Sequence, residues 1–229
     1  MGHEFTGTIV SAGSDVKNLS IGDKIVCPFT VSCMSCFYCT HGFTSRCAES
    51  LLFGSPKLDG AQAEYVRVPL ADATAVKASP EIADRALLLM ADIFPTGFFG
   101  AKNSFGLLAG AVDPSEATIV VVGCGPVGLC AIVSALEYKP KHIFAVDSVD
   151  SRLELARGLG AVPLNFLEGK DAMLEKVRAV TDGRGADAVI EVVGLSPALR
   201  TAFDLIRPFG VISSIGVHNA EVRISWAVG

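Results

Sequence analysis

From Ala117 to Leu136 the chain runs twenty residues without a charge, and no other stretch limits its fold so tightly. Twenty apolar residues are enough to cross a bilayer, and a mean hydropathy of +0.47 makes a membrane span the first idea to test. The run, however, opens on β-branched Ile119–Val122 and is broken near its centre by Gly123, Gly125, Pro126 and Gly128. A buried strand, a glycine turn and a helix account for that order better than a span does.

The three glycines fall in the pattern G-x-G-x-x-G, after a strand and at the opening of a helix, and Asp147 closes the next predicted strand 19 residues past Gly128. That context is what a dinucleotide-binding loop requires. Gly123 allows the tight turn, Gly125 lets the backbone approach a pyrophosphate, and Gly128 allows close helix–strand packing. The anion then sits at a helix N-terminus, where free N–H groups and the helix dipole favour it. The candidate cofactor residues are therefore Gly123, Gly125, Pro126, Val127 and Gly128, with Asp147 as acceptor for ribose hydroxyls. An acid there repels a 2′-phosphate, so NAD is preferred over NADP. Arg152 is a nearby cation that softens this preference.

Beyond Pro114 the chain alternates. Strands are expected at Thr118–Val122, His142–Val146, Ala188–Val193 and Val211–Ile215, with a weak one near Ala161–Asn165. Helices are expected at Pro126–Tyr138, Ser151–Leu159, Asp171–Thr181 and Pro197–Ile206, the last with Ser196 as N-cap. Such alternation predicts an α/β fold, a doubly wound parallel sheet covered on both faces. Before it, Phe5–Val10, Lys24–Pro28 and Ala63–Val68 read as short strands, followed by helices at Pro80–Ala91 and Thr96–Leu108. The expected division is a β domain over 1–100 and a nucleotide-binding domain over 101–229.

Four of the seven cysteines lie within fifteen residues, as Cys33, Cys36, Cys39 and Cys47 in the spacing C-x2-C-x2-C-x7-C. No basic, then apolar, secretory leader begins the chain, so metal ligation is expected rather than a disulfide framework, and the location is read as cytoplasmic. Four thiolates can enclose a tetrahedral Zn2+ with no open position, which is a structural site. Cys27, Cys124 and Cys130 stand alone in apolar runs and are expected to be small buried hydrophobes. Nucleic acid is excluded as a partner by a formal charge of −5, and Arg46 is the sole fixed cation between Cys33 and Cys47.

Gly2-His3-Glu4, the four-cysteine loop and Gly-Cys-Gly-Pro-Val-Gly, in that order, resemble the zinc-containing medium-chain alcohol dehydrogenases over nearly the whole chain. Asp92-Ile-Phe-Pro-Thr96-Gly resembles the formaldehyde-dehydrogenase-like subgroup. The resemblance implies a GroES-like β domain followed by a Rossmann domain. It implies His3 and Asp92 as ligands of a catalytic zinc, Glu4 beside them as an alternate ligand, and Thr96 and Val127 near the nicotinamide. In that chemistry zinc favours the alkoxide of a small alcohol, or polarises an aldehyde, while hydride passes to or from NAD. A homo-oligomer is the family habit.

The sequence also departs from that pattern. The family's first catalytic-zinc ligand, a cysteine upstream of Gly-His-Glu, has no counterpart, and five strands are countable where six are expected. The reading is therefore of a chain truncated at both ends, with fraying expected at His3 and an unpaired sheet edge. Two alternatives follow: a non-catalytic NAD- and zinc-binding remnant or regulatory protein, and a thiol redox sensor built on the cysteine loop.

Overall fold

A computed structural model describes residues 1–108 and 110–222. The chain divides into two compact units, Met1–Ile93 and Phe94–Gly229.

The first unit holds a small antiparallel sheet of β1 (Phe5–Thr8), β2 (Lys24–Cys27) and β3 (Val76–Lys77), in that order. Its helices are short: α1 (Phe37–Thr40), α2 (Ala71–Thr74) and α3 (Asp84–Leu89). Phe5, Ile25, Cys27, Val31, Phe53 and Leu58 form its core, with Phe5 and Phe53 edge to face at 5.0 Å. So few buried side chains leave much of the unit irregular. The expected strand at Ala63–Val68 does not form. Val66 and Val68 pack partly onto the core, but no described segment pairs with them in a ladder, and residues 65–68 carry no regular structure. The helix expected from Pro80 begins only at Asp84, because Ala83 before it is extended.

The second unit begins in α4 (Ile93–Leu108), which starts three residues earlier than expected, with Pro95 in its first turn, where a missing N–H costs nothing. Then come β4 (Thr118–Val122), α5 (Pro126–Leu136), β5 (His142–Asp147), α6 (Asp150–Leu159), β6 (Val162–Asn165), α7 (Lys170–Ala179), β7 (Ala186–Glu191), α8 (Ser196–Leu205) and β8 (Ile206–Ser214). The five strands run parallel in the order β6-β5-β4-β7-β8. The weak strand near Ala161–Asn165 is real and forms one edge; β8 forms the other. Ser196 is not the N-cap. It is the first helical residue of α8, and the cap is Leu195, whose side chain makes no capping bond. Of Glu221–Gly229, where no sixth strand is expected, residues 223–229 lie outside the described residues.

Strand period separates the two faces of this sheet. Ile119 and Val121 join one core with Phe105 of α4, Ile132 of α5 and Leu153 of α6. Val120 and Val122 join the other with Met173 and Val177 of α7 and Leu205 of α8. All five residues of β4 are buried, so the charge-free run is a central strand feeding a packed helix. No described helix is long and apolar enough to cross a membrane.

At the amino ends of the strands, buried Asp187 accepts from the Thr118 N–H at 2.8 Å and from Arg207 Nε at 2.6 Å. Asp187→Ala would strand a largely buried guanidinium and a strand N–H, so it is expected to cost about 3–5 kcal/mol. Urea unfolding of the variant checks this; a cost near zero would show that the pair contributes nothing.

Candidate functional site

The four cysteines form the first site. Cys36 caps α1, Cys39 lies within it, and Cys47 follows a single 3-10 turn. Their sulfurs all lie within 4.8 Å of one another. A tetrahedral ion with Zn–S bonds near 2.3 Å needs sulfurs roughly 3.8 Å apart, so the donor set is gathered closely enough to take up zinc. Backbone donors already favour thiolates: the N–H groups of Cys33 and Glu49 point to Cys47 Sγ, and that of Cys36 to Cys33 Sγ, each at 3.3 Å. The Ser35 hydroxyl and the N–H groups of Ser35 and Cys36 bring the Cys33 thiol down to about 6. The N–H groups of Ala48 and Cys39 lower Cys36, whereas burial pushes Cys47 up to about 11. The isolated thiols differ. Cys27 and Cys124 are fully buried, and burial pushes each up to about 12, so they are packing groups. Cys130 is only partly buried.

Cys39→Ser removes one of four donors without filling the site. The wild-type chain should retain one tightly held zinc through gel filtration, and the variant should lose it by elemental analysis. Equal zinc in both would refute the site.

His3, Glu4 and Asp92 form the second candidate, all within the first unit. His3 Nε2 lies 3.1 Å from Asp92 Oδ2, and Glu4 Oε1 accepts weakly from the Ile93 N–H at 3.4 Å. The structure therefore brings His3 and Asp92 together across 89 positions of sequence. Glu4 does not complete a triad with them: among the described residues, only the cysteine cluster gathers three or more such donors. Fraying is expected at His3; in the structure the residues before it are hydrogen-bonded. The carbonyls of Met1 and Gly2 accept from the N–H groups of Gln62 and Ala61 at 3.0 Å each, and a side chain on Gly60 would collide with Met1. Thr96 lies in the first turns of α4, in the second unit.

The third site is a cavity of about 490 Å³ at the carboxyl ends of β4, β5 and β7. Gly123, Gly125, Pro126, Val127, Gly128, Asp147 and Arg152 all line it. Gly123 has φ +99°, and its N–H is held by the Val146 carbonyl at 2.8 Å. A Cβ on Gly128 would run into the Gly123 carbonyl, whereas a Cβ on Gly125 would meet open space. Turn, approach and packing are thus divided among the three glycines. Asp147 Oδ2 accepts from the Cys124 N–H at 2.8 Å, and Oδ1 from those of Ser148 and Val149 at 2.7 and 3.0 Å. Burial alone would raise this carboxyl, but the three N–H groups and Arg152, 3.8 Å away, together hold it below its ordinary value. It therefore stays an anionic acceptor at neutral pH. The sequence reading missed Phe166, Leu195 and Thr201, which also line the cavity. Phe166 follows directly on β6 and Leu195 caps α8, which was the available signal; Thr201 lies in the middle of α8, where no local signal marked it.

Two family models match the chain: an alcohol dehydrogenase GroES-like domain over residues 1–78 and a zinc-binding dehydrogenase over 126–228. A medium chain reductase/dehydrogenase, ucsI, of Acremonium is 63% identical over 98% of this chain and 77% of its own length. The chain belongs to the zinc-type medium-chain dehydrogenase/reductase family. Within that family, the zinc-type alcohol dehydrogenase B of Aspergillus flavus is 60% identical over 99% of this chain, which spans 52% of that relative. The alcohol dehydrogenase TADH of Thermus sp. ATN1 superposes with a TM-score of 0.86 at 33% identity, covering 96% of this chain and 62% of that one. The chain thus spans from 52% to 77% of the length of these relatives. The family's zinc-dependent, NAD-linked oxidoreductases share its pairing of a GroES-like sheet with a Rossmann-type sheet.

The glycines permit a paired test. Gly125→Ala should fold as well as wild type and bind NADH at least about tenfold more weakly, since its Cβ enters the cavity. Gly128→Ala should lose thermal stability as well as binding. Equal NADH affinity for Gly125→Ala, by fluorescence titration, would refute the assignment.

Proposed function

We propose that this chain carries the cofactor-binding and zinc-binding parts of an oxidoreductase that moves a hydride between a small alcohol, or an aldehyde adduct, and NAD. The observation that carries the reading is the convergence of the glycine loop, Asp147 and Arg152 on one cavity of dinucleotide-accepting size.

Gly123 and Gly125 let a pyrophosphate approach the free N–H groups opening α5. Asp147 accepts from the ribose hydroxyls, and its depressed pKa keeps it a full anion for that purpose. Val127 packs behind the nicotinamide, with Thr96 as a further contact to it. His3 and Asp92 are proposed as ligands of a catalytic zinc, with Glu4 as an alternate, and Cys33, Cys36, Cys39 and Cys47 as ligands of a structural one. When bound, NAD supplies the hydride carrier and the catalytic zinc the Lewis acid that stabilises oxygen-centred charge. His3 Nε2 and Asp92 Oδ2 lie 3.1 Å apart, close enough for the two to share one ion. Placement in the formaldehyde-dehydrogenase-like subgroup rests on Asp92-Ile-Phe-Pro-Thr96-Gly alone. A small alcohol or aldehyde as substrate and a cytoplasmic location belong to the same reading.

One observation favours a second reading. His3, Glu4 and Asp92 do not gather into a three-donor cluster, whereas the four cysteines do. A chain that binds NAD and one structural zinc without turnover fits that arrangement. Elemental analysis separates the two: about two zincs per chain with alcohol-dependent NAD+ reduction supports the enzyme, and one zinc without turnover supports the binding protein.

Cofactor choice gives a further check. Asp147→Asn removes the charge that repels a 2′-phosphate and keeps one acceptor oxygen. NADH affinity should fall about tenfold while NADPH affinity holds or rises. An unchanged NADH-to-NADPH ratio in paired titrations would refute the role given to Asp147.

A further inference from the structure

Glu191 ends β7, and its side chain is completely buried. A carboxylate in that position is costly unless its lone pairs are met. No lysine or arginine among the described residues pairs with it. Instead Oε1 accepts from the N–H groups of Val193 at 2.8 Å and Gly194 at 2.7 Å. Oε2 accepts from the Ser214 hydroxyl at 2.7 Å, with His218 Nε2 at 3.4 Å.

The sheet itself has no need of an acid here, since Val122, its partner on β4, sits in an apolar core. What the carboxylate does is join two loops. One leaves β7 through Val192–Leu195; the other leaves β8 through Ile215–His218. The Glu191 carbonyl reaches the second loop as well, accepting from the N–H groups of Ile215 at 2.8 Å and Gly216 at 3.1 Å. The loops touch backbone to backbone: a side chain on Gly194 would collide with Val217, and one on Gly216 with Gly194. The first loop supplies Val192, Val193 and Leu195 to the wall of the cavity. Glu191 does not line the cavity. It lies one turn of chain behind that wall.

We propose that Glu191 is a positioning residue for the dinucleotide: its carboxylate braces the Val192–Leu195 wall against the loop after β8, in the conformation that accepts the cofactor. The proposal rests on the NAD reading above, and the experiment distinguishes failure of one from failure of the other.

NADH is titrated by fluorescence into wild type, Glu191→Gln, Glu191→Ala and Ser214→Ala, with thermal unfolding recorded for each. Glutamine keeps an oxygen for the two N–H groups and an amide for the Ser214 hydroxyl, so its affinity should stay within about threefold of wild type. Alanine leaves the donors bare and frees the wall, so affinity should fall about tenfold or more. Amide exchange at Val193 and Gly194 should quicken in the alanine variant and not in the glutamine one. If Glu191→Ala is folded and binds NADH like wild type, or only its Tm falls, the proposal is overturned. If Glu191→Ala does not fold, Ser214→Ala decides: an affinity loss of about threefold supports the brace, and none overturns it. Wild type that fails to bind NADH overturns the cofactor reading, and the proposal with it.

Discussion

Complete burial of β4 is the constraint from which the rest of the second unit follows. A strand in the middle of a parallel sheet has its backbone groups met on both edges, by β5 and β7. It can therefore carry apolar side chains on both faces. Thr118–Val122 does so, which forces helices onto each side to keep those faces dry. The same burial requires that every polar function be placed where the strands end. At the amino ends stands the Asp187 cluster; at the carboxyl ends stand the glycine loop and the cavity.

The acids at those ends follow one rule. Asp187, Asp147 and Glu191 are all buried, and each accepts from backbone N–H: one for Asp187, three for Asp147 and two for Glu191. Main-chain donors held by a rigid sheet cost little entropy to aim, so they meet a buried carboxylate more cheaply than long cationic side chains do. Asp187 adds an arginine and is structural. Asp147 stands on the cavity wall, with its charge preserved. Glu191 ties together the loops behind that wall.

The first unit works under the opposite limitation. Its sheet has three short strands and a core of a few aromatic and aliphatic side chains. A segment such as 33–47, with little apolar content of its own, needs another source of order, and converging thiolates that can share a metal ion provide one. The His3–Asp92 contact is held differently. It depends on the amino-terminal strip lying along Gly60–Gln62, where the chain approaches too closely to tolerate a side chain on Gly60.

Local patterning carried much of this protein. The alternation of strand and helix after Pro114 was legible, as were the G-x-G-x-x-G turn, Asp147 and the cysteine spacing, because each is set by neighbours within a few residues or by a fixed period. The strand expected at Ala63–Val68 failed because a strand exists only with a partner alongside, which periodicity cannot supply. Phe166, Leu195 and Thr201 went unseen for a related reason: they reach the cavity from two separate crossovers, Phe166 from that between β6 and β7 and the other two from that between β7 and β8, and only the order β6-β5-β4-β7-β8 gathers them. So did Glu191, an ordinary acid at a strand end until its hydrogen bonds to two loops are counted. Sequence by itself determined the elements and the chemistry of the loops, since these depend on short-range sterics and hydration. Tertiary structure decided which distant polar atoms meet, since a hydrogen bond between residues 23 or 89 positions apart exists only once the core has packed.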